Sequence, residues 1–139
     1  MNPQQIATVR NSFALLVPRA DDVARLFYDR LFELDPQLRA LFKADLSEQR
    51  SKLMAMLTAG VGALDRLDTL VPVLRQLGAR HLVYGVRDAH YGIVGEALLD
   101  TLARGLGDAF TPEARAAWIE AYTLMAGAMQ AGATLGAAA

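Results

Sequence analysis

The sequence predicts an all-α protein, and three observations lead to that prediction. Apolar residues recur three and four positions apart along almost the whole chain, the spacing that places them on one face of a helix. No segment alternates apolar and polar residues for long enough to indicate a strand. Prolines divide the chain into segments of unequal length, so we expect about seven helices.

Composition predicts a single domain over residues 1–139. The chain is 53% hydrophobic and 21% charged, and it contains no cysteine, which excludes thiol catalysis and thiolate metal sites. A chain of this size can bury roughly two-thirds of its unfolded surface without disulfides. The formal net charge is -1 and no cluster of Lys and Arg stands out, so no nucleic-acid partner is expected. We expect a core over about residues 6–130 and a frayed tail over 131–139.

The two ends of the chain bear on its location. The N-terminal segment is polar and lacks the apolar stretch of a secretory signal, so we expect a cytoplasmic protein. Residues 121–139 carry no charge over 19 residues, which is long enough for a membrane span on length alone. They are mostly Ala and Gly, and larger apolar residues recur there at helical spacing, so we expect a buried helix and no membrane partner.

Prolines bound the first two helices. We expect one helix from Pro3 to Val17, ended by Pro18, and a second from Asp21 to Leu34. The pair Asp35-Pro36 breaks the second helix, and Pro36 then begins a short helical turn that runs to Phe42.

The middle of the chain predicts two longer helices. Ser47 is placed to cap the first, and the second is expected to begin at Asp68-Thr69 and to end near Tyr84-Gly85. The residues expected on the inward face after Ser47 are Gln49, Leu53, Met56, Leu57, Gly60, Val61 and Leu64.

Two more helices follow. Asp88 is placed to cap one that ends at Gly105 or Gly107, and Thr111-Pro112-Glu113 supplies a cap, a first-turn proline and a first-turn acid for the last. Helices of unequal length suit a packing that crosses at about 50° better than a four-helix bundle of long rods. Periodicity alone does not separate the two architectures.

The chain has two histidines, in different settings. His81 shares a helix stripe with Leu74, Leu77 and glycines, where a neutral imidazole could bind a metal or simply be a hydrogen-bonded core residue. His90 lies at a helix start and is expected to be structural or exposed. No second histidine, cysteine or carboxylate pair is spaced to complete a zinc or di-iron site, so a ligand role for His81 implies that a porphyrin supplies the remaining coordination.

Four further residues have ordinary explanations when taken singly. Tyr28 is explained as a core tyrosine whose hydroxyl donates to a backbone carbonyl, and Phe42 as an ordinary core residue. Gln49 and Leu53 form an (i, i+4) pair, in which a buried amide is usually a satisfied helix-end group.

Several stretches, taken in order, resemble the globin family. They are LFYDRLFELDPQLRALF, SEQRSKLM, LGARHLVYGVRDAHYGIVGEALL and FTPEARAAW. The resemblance covers about Ile6 to Met129 and is to single-domain bacterial globins, the globin half of flavohaemoglobins and neuroglobin. It implies the globin fold, a three-over-three helical sandwich.

The resemblance implies a haem b (iron protoporphyrin IX) site with His81 as the proximal iron ligand. Phe42 matches the phenylalanine that packs on the haem face, and Pro36 the proline at the preceding corner. Tyr91 matches a tyrosine that in flavohaemoglobins acts with a late glutamate to strengthen the proximal imidazole. No acidic residue follows Glu120 here, so we expect Tyr91 to pack and orient only, with a weaker electron push to the iron.

The resemblance also implies the distal wall. Tyr28, Gln49 and Leu53 match the three positions that line the gas pocket of flavohaemoglobin-like globins. Lys52 matches a position from which a basic side chain often reaches a haem propionate, although an ordinary solvated lysine explains it as well. With no histidine at the Gln49 position, we expect the sixth iron position to be available to a gas or to water.

The function that the resemblance implies is reversible binding of O2, with NO or CO as further ligands, in oxygen carriage or storage. An alternative is NO dioxygenation with a separate reductase, and another is gas or redox sensing. A haem-free interaction module forms a third class, disfavoured by the joint presence of His81, Phe42 and Tyr28. No catalytic residue is assigned, and the sequence leaves the oligomeric state open.

Overall fold

A computed structural model describes residues 1–83 and 85–138, without the side chains of Val83 and of residues 133–138. This part of the chain forms six α-helices and no strand, which confirms the all-α prediction. The helices are α1 (Pro3–Leu16), α2 (Ala20–Leu34), α3 (Ser47–Gly62), α4 (Leu67–Val83), α5 (Asp88–Leu106) and α6 (Pro112–Ala138). Short 3-10 segments connect several of them, and the predicted end near Tyr84 lies outside the described residues.

The helices form two layers of three. Between and within these layers α2 packs on α3 and α5, while α6 packs on α1, α4 and α5. The three-over-three arrangement is therefore confirmed.

Several helix ends follow the local signals in the sequence. The Ala114 amide donates to Thr111 Oγ1 at 3.1 Å, with Pro112 as the first residue of α6. Gly107 ends α5 with a φ of +55°, a conformation that residues with a side chain rarely adopt. Pro36 begins the 3-10 segment Pro36–Leu41, as predicted.

Two predicted caps are wrong. Ser47 is the first residue of α3, and its amide and hydroxyl both donate to Asp45 Oδ1, at 2.9 and 2.7 Å. The turn formed by Asp45 thus precedes the helix, Leu46 takes the N-cap position, and no side chain caps α3 there. Asp88 is the first residue of α5, and His90 Nδ1 instead accepts the Arg87 amide at 2.9 Å.

The core lies between α1, α2, α5 and α6. Trp118 is fully buried, and its indole N–H donates to Ser12 Oγ at 2.9 Å, which joins α6 to α1. The predicted inward face of α3 is buried only at its C-terminal end, around Gly60 and Val61. Gln49 and the apolar residues up to Leu57 on that face are only half-buried. The N-terminal half of α3 therefore borders space that this chain does not fill tightly.

Helix α6 extends beyond residue 130. It continues to Ala138, and Gly132 is buried against the backbone of Arg75. The frayed tail expected over residues 131–139 stays a prediction. Within residues 1–83 and 85–138, no helix has both the length and the apolar character needed to cross a bilayer.

Candidate functional site

Tyr28 lies at the centre of an aromatic cluster. It is 4% exposed, because its position on α2 faces inward with Leu31. Its ring meets that of Phe42 edge-on with centroids 5.6 Å apart, and Phe32 lies 5.6 Å from Phe42 and 6.1 Å from Tyr28. Phe32 was not among the predicted site residues, although its (i, i+4) spacing from Tyr28 places it on the same helix face.

Gln49 reaches Tyr28 from α3. Burial raises the pKa of the Tyr28 phenol above its ordinary value, and a hydrogen bond with the Gln49 side chain acts in the opposite direction. Tyr28 therefore stays protonated near neutral pH, and its own O–H proton can be donated to another acceptor.

Leu53 lies one helical turn beyond Gln49. It is half-buried and packs against the apolar core. The structure thus brings Tyr28 and Gln49 into contact and places Leu53 beside them on the same face of α3, because residues four apart on a helix are neighbours.

An ion-pair cluster fixes the start of α3 on α2. Arg50 Nε lies 3.0 Å from Asp21 Oδ1, and Arg25 Nε lies 3.0 Å from Asp21 Oδ2. Hydrogen bonds from Arg50, and then from Arg25, hold the pKa of Asp21 below its ordinary value. Because Arg50 follows Gln49 directly, this cluster holds the backbone that carries Gln49 against α2.

Arg39 holds the corner that contains Phe42. Its guanidinium donates to the carbonyl oxygens of Phe42, Lys43 and Ala44, at 3.3, 2.8 and 2.9 Å. The same guanidinium lies 5.4 Å from the centroid of the Phe32 ring. One side chain therefore fixes a segment with no regular helix and orients Phe42 toward Tyr28.

His81 is held in one tautomer by its own helix. Its Nδ1 lies 2.7 Å from the Leu77 carbonyl oxygen, and since a carbonyl only accepts, Nδ1 carries the proton. The lone pair of the neutral imidazole is then on Nε2, the form in which a histidine ligates a metal. This is the tautomer that the ligand role expected of His81 requires, and the role itself stays a prediction.

The end of α4 returns the chain toward Phe42. The Val86 amide donates to the His81 carbonyl at 2.9 Å, and Gly85 adopts a φ of +98°. A Cβ at Gly85 would lie 3.2 Å from Leu41 Cδ2. The helix that carries His81 therefore ends against the residue that precedes Phe42, while the described parts of α3 and α4 make little direct contact with each other.

Tyr91 has a buried hydroxyl without a hydrogen-bond partner among the described residues. Burial, and secondarily the charge of Asp88, raises its pKa. The Tyr122 hydroxyl donates to the Tyr91 carbonyl at 2.5 Å, and the Tyr122 ring fills the space next to Gly95. Buried hydroxyls are rarely left unpaired, so Tyr91 Oη marks a place where a further group fits.

Lys52 does not join this cluster. It is exposed, and its Nζ lies 3.2 Å from Glu48 Oε1 on the same helix. Its proposed contact with a haem propionate stays a prediction.

The donor set fits a haem better than a bare metal ion. In the described residues no group of three or more His, Cys, Asp or Glu could hold a metal. His81 can supply one nitrogen, so the other ligands have to come with the cofactor, as the four nitrogens of a porphyrin do. Phe42 and the half-buried face of α3 provide aromatic and apolar surface for a flat ring.

Comparison with known proteins agrees with this geometry. The family model described as Globin matches residues 25–129. The chain belongs to the globin family. This globin is 36% identical to neuroglobin of Danio rerio over 121 residues, which cover 77% of this chain and 76% of the relative. It is 30% identical to a flavohemoprotein of Bacillus subtilis (strain 168) over 131 residues, which cover 92% of this chain.

Solved structures extend the comparison. An engineered carbene transferase from Rhodothermus marinus, whose parent carries the provisional name nitric oxide dioxygenase, superposes with a TM-score of 0.85 at 29% identity, covering 97% of this globin and 94% of that chain. A bacterial globin from Campylobacter jejuni gives a TM-score of 0.85 at 21% identity, with 96% of each chain covered, and shows the fold alone. This globin spans about a third (33%) of the flavohemoprotein's length.

Proposed function

We propose that this haem-binding globin holds haem b and reversibly binds O2, as an oxygen carrier or store. The observations that carry the proposal are a tautomer-locked His81 on α4 and a buried, protonated Tyr28 on α2 whose ring contacts Phe42. Family membership supports haem binding and small gas ligands. Haem, when bound, would supply an iron atom with a sixth position for a diatomic gas.

The side chains divide the work of gas binding. With haem bound, His81 Nε2 would hold the iron, and Leu77 fixes the plane of the imidazole through Nδ1. Tyr28 would donate its O–H to a gas molecule, supported by the neighbouring Gln49 side chain. Leu53 and Phe42 exclude water. O2 gains more than CO from such a donor, because O2 accumulates more negative charge on binding.

The second candidate is NO dioxygenation, which combines NO and O2 into nitrate and takes one electron per turnover from a separate reductase. It is favoured by the likeness to flavohemoproteins and to the Rhodothermus marinus protein. The unpaired Tyr91 hydroxyl argues against strong electron donation from the proximal imidazole to the iron, since no described carboxylate hydrogen-bonds to that hydroxyl. Gas or redox sensing would use the same site, and we place all three activities in the cytoplasm.

Absorption spectra of the ferric, deoxygenated ferrous and oxygenated forms test the proposal. We expect a Soret band in the purified protein and a stable oxygenated form. His81→Ala is expected to lose the pigment or its characteristic spectrum, whereas His90→Asn, at the start of α5, should leave both unchanged. A His81→Ala protein with unaltered colour and gas uptake would refute the assignment.

NO consumption separates the two candidates. With NADH and a generic reductase, a dioxygenase consumes NO over many turnovers, whereas a carrier reacts once and stops. Sustained nitrate formation at a rate above that of the reductase alone would show that the function is NO dioxygenation and not O2 carriage.

A further inference from the structure

Helices α4 and α6 meet backbone to backbone at two glycines, one from each helix. A Cβ at Gly78 of α4 would lie 1.8 Å from the Met129 carbonyl oxygen of α6. A Cβ at Gly132 of α6 would lie 2.0 Å from the Arg75 carbonyl oxygen of α4. Because neither glycine has a side chain, each helix leaves room for a backbone carbonyl group of the other. We call Arg75, Gly78, Met129 and Gly132 the glycine crossing.

The glycine crossing lies next to the residues that hold His81. Gly78 precedes His81 by one helical turn and directly follows Leu77, whose carbonyl accepts the His81 Nδ1 proton. Leu74, one turn before Gly78, is 1% exposed and anchors the same stretch. A shift of α4 at Gly78 would thus move Leu77 and His81 together, without breaking the hydrogen bond between them.

Ordinary van der Waals contact begins at 3.4 Å, so a methyl group at either glycine cannot be accommodated by a small adjustment. The atoms in the way are backbone carbonyls inside helices, which cannot rotate aside as a flexible side chain can. The two helices would have to separate by more than an ångström at that point. Backbone contact of this kind makes the distance between α4 and α6 a fixed property of the fold.

We infer that the glycine crossing of Gly78 and Gly132 positions the His81 imidazole, and so sets the geometry of the bond between Nε2 and iron. This inference rests on the proposed function, because it takes His81 as the iron ligand. Gly78 and Gly132 act as positioning residues, since they touch α6 and α4 and act on the ligand only through Leu77 and the helix.

The test compares alanine at the crossing with alanine at open glycines. Gly78→Ala and Gly132→Ala are the test variants. Gly127→Ala on α6 and Gly62→Ala on α3 are the matched controls, because a Cβ at either position meets nothing within 4 Å. All four changes add the same methyl group and the same gain in helix propensity.

Three measurements are made on each variant. The iron–imidazole stretching band of the deoxygenated ferrous form, recorded by resonance Raman spectroscopy, reports the bond directly. Haem release to an excess of an apoprotein acceptor reports how well the ligand is held. Thermal unfolding of each haem-free variant reports the fold independently of the pigment.

We expect Gly78→Ala to shift or broaden the stretching band and to release haem on the order of tenfold faster, since ångström-scale misplacement can change rates by one to two powers of ten. Gly132→Ala should change both in the same direction by less, because Arg75 lies farther from His81 along α4. The two controls should match the unaltered protein in both measurements.

Different failures have different meanings. If the unaltered protein binds haem but the band and the release rate of Gly78→Ala and Gly132→Ala equal those of the controls, the positioning role is refuted and the proposed function stands. If both crossing variants fail to fold while both controls fold, the crossing serves folding alone and the inference is equally overturned. If the unaltered protein takes up no haem, the proposed function itself fails.

Discussion

The side chain of Gln49 on α3 lies beside the phenol of Tyr28 on α2 and acts against the burial that raises the pKa of that phenol. The two residues are far apart in the sequence but meet because α2 packs on α3. In the proposed function Tyr28 is the donor to a bound gas and Gln49 is its support. This order of roles leads to the first two predictions.

Replacement of Tyr28 by Phe should speed O2 release by about ten- to a hundredfold, the equivalent of a hydrogen bond to a charged acceptor worth roughly 1.5 to 3 kcal/mol. CO release should change little, because CO accumulates less negative charge. Stopped-flow displacement of each gas measures the rates. Tyr122→Phe removes a hydroxyl bound to a distant carbonyl and serves as the control. Equal effects on the two gases, or none on O2, would exclude Tyr28 as the donor.

Replacement of Gln49 by Leu should also speed O2 release, but by less than Tyr28→Phe, since it removes only the group that polarises the phenol. In Tyr28→Phe the change of Gln49 should have little further effect. The two changes should therefore depart from additivity by more than about 0.5 kcal/mol in a double-mutant cycle. Gln76→Leu, an exposed change on α4, should leave the rate unaltered. Strict additivity would mean that Gln49 contacts the gas independently of Tyr28.

Acid should weaken the link between α2 and α3 at Asp21. Its carboxyl has a folded-state pKa below the ordinary value of 3.8, so its contribution to stability is complete above that value and is lost as the pH falls through the folded-state pKa. Asp21→Asn should therefore lower stability near neutral pH but not in strong acid. Urea unfolding over that pH range measures the difference. The neighbouring change Asp22→Asn is the control, and a pH-independent effect of Asp21→Asn would rule out the charge as its cause.

Removal of the Tyr91 hydroxyl should stabilise the haem-free protein. An unpaired buried hydroxyl lowers the stability of the fold by about 1 kcal/mol, so Tyr91→Phe should raise the free energy of unfolding by about that amount. Tyr122→Phe should lower it by about 1 kcal/mol, because it breaks the bond to the Tyr91 carbonyl. Denaturant unfolding of both variants decides the point. Destabilisation by Tyr91→Phe would show that the hydroxyl has a partner in the haem-free fold.

Local signals in the sequence predicted the helix ends that depend on local bonds. Thr111-Pro112 at the start of α6 and Gly107 at the end of α5 act within one turn of themselves, so composition and spacing suffice to find them. The prediction for Ser47 failed because Asp45, two residues earlier, accepts from the Ser47 amide and hydroxyl, and α3 begins at Ser47 itself. Which of two neighbouring polar residues ends the preceding turn depends on backbone geometry that the sequence pattern does not specify.

Contacts between distant segments were not predictable in the same way. The pair Asp21 and Arg50, and the crossing of Gly78 with Met129, join residues that lie on different helices. The resemblance to globins named Tyr28 and Gln49 together, but only the structure showed that the Gln49 side chain acts on the Tyr28 phenol.

The corner fixed by Arg39 has a consequence for engineering. The guanidinium donates only to main-chain oxygens of residues 42–44, so it is indifferent to which side chains stand at Lys43 and Ala44. Both are exposed. These two positions could therefore be randomised in a library while the aromatic ring of Phe42 keeps its place.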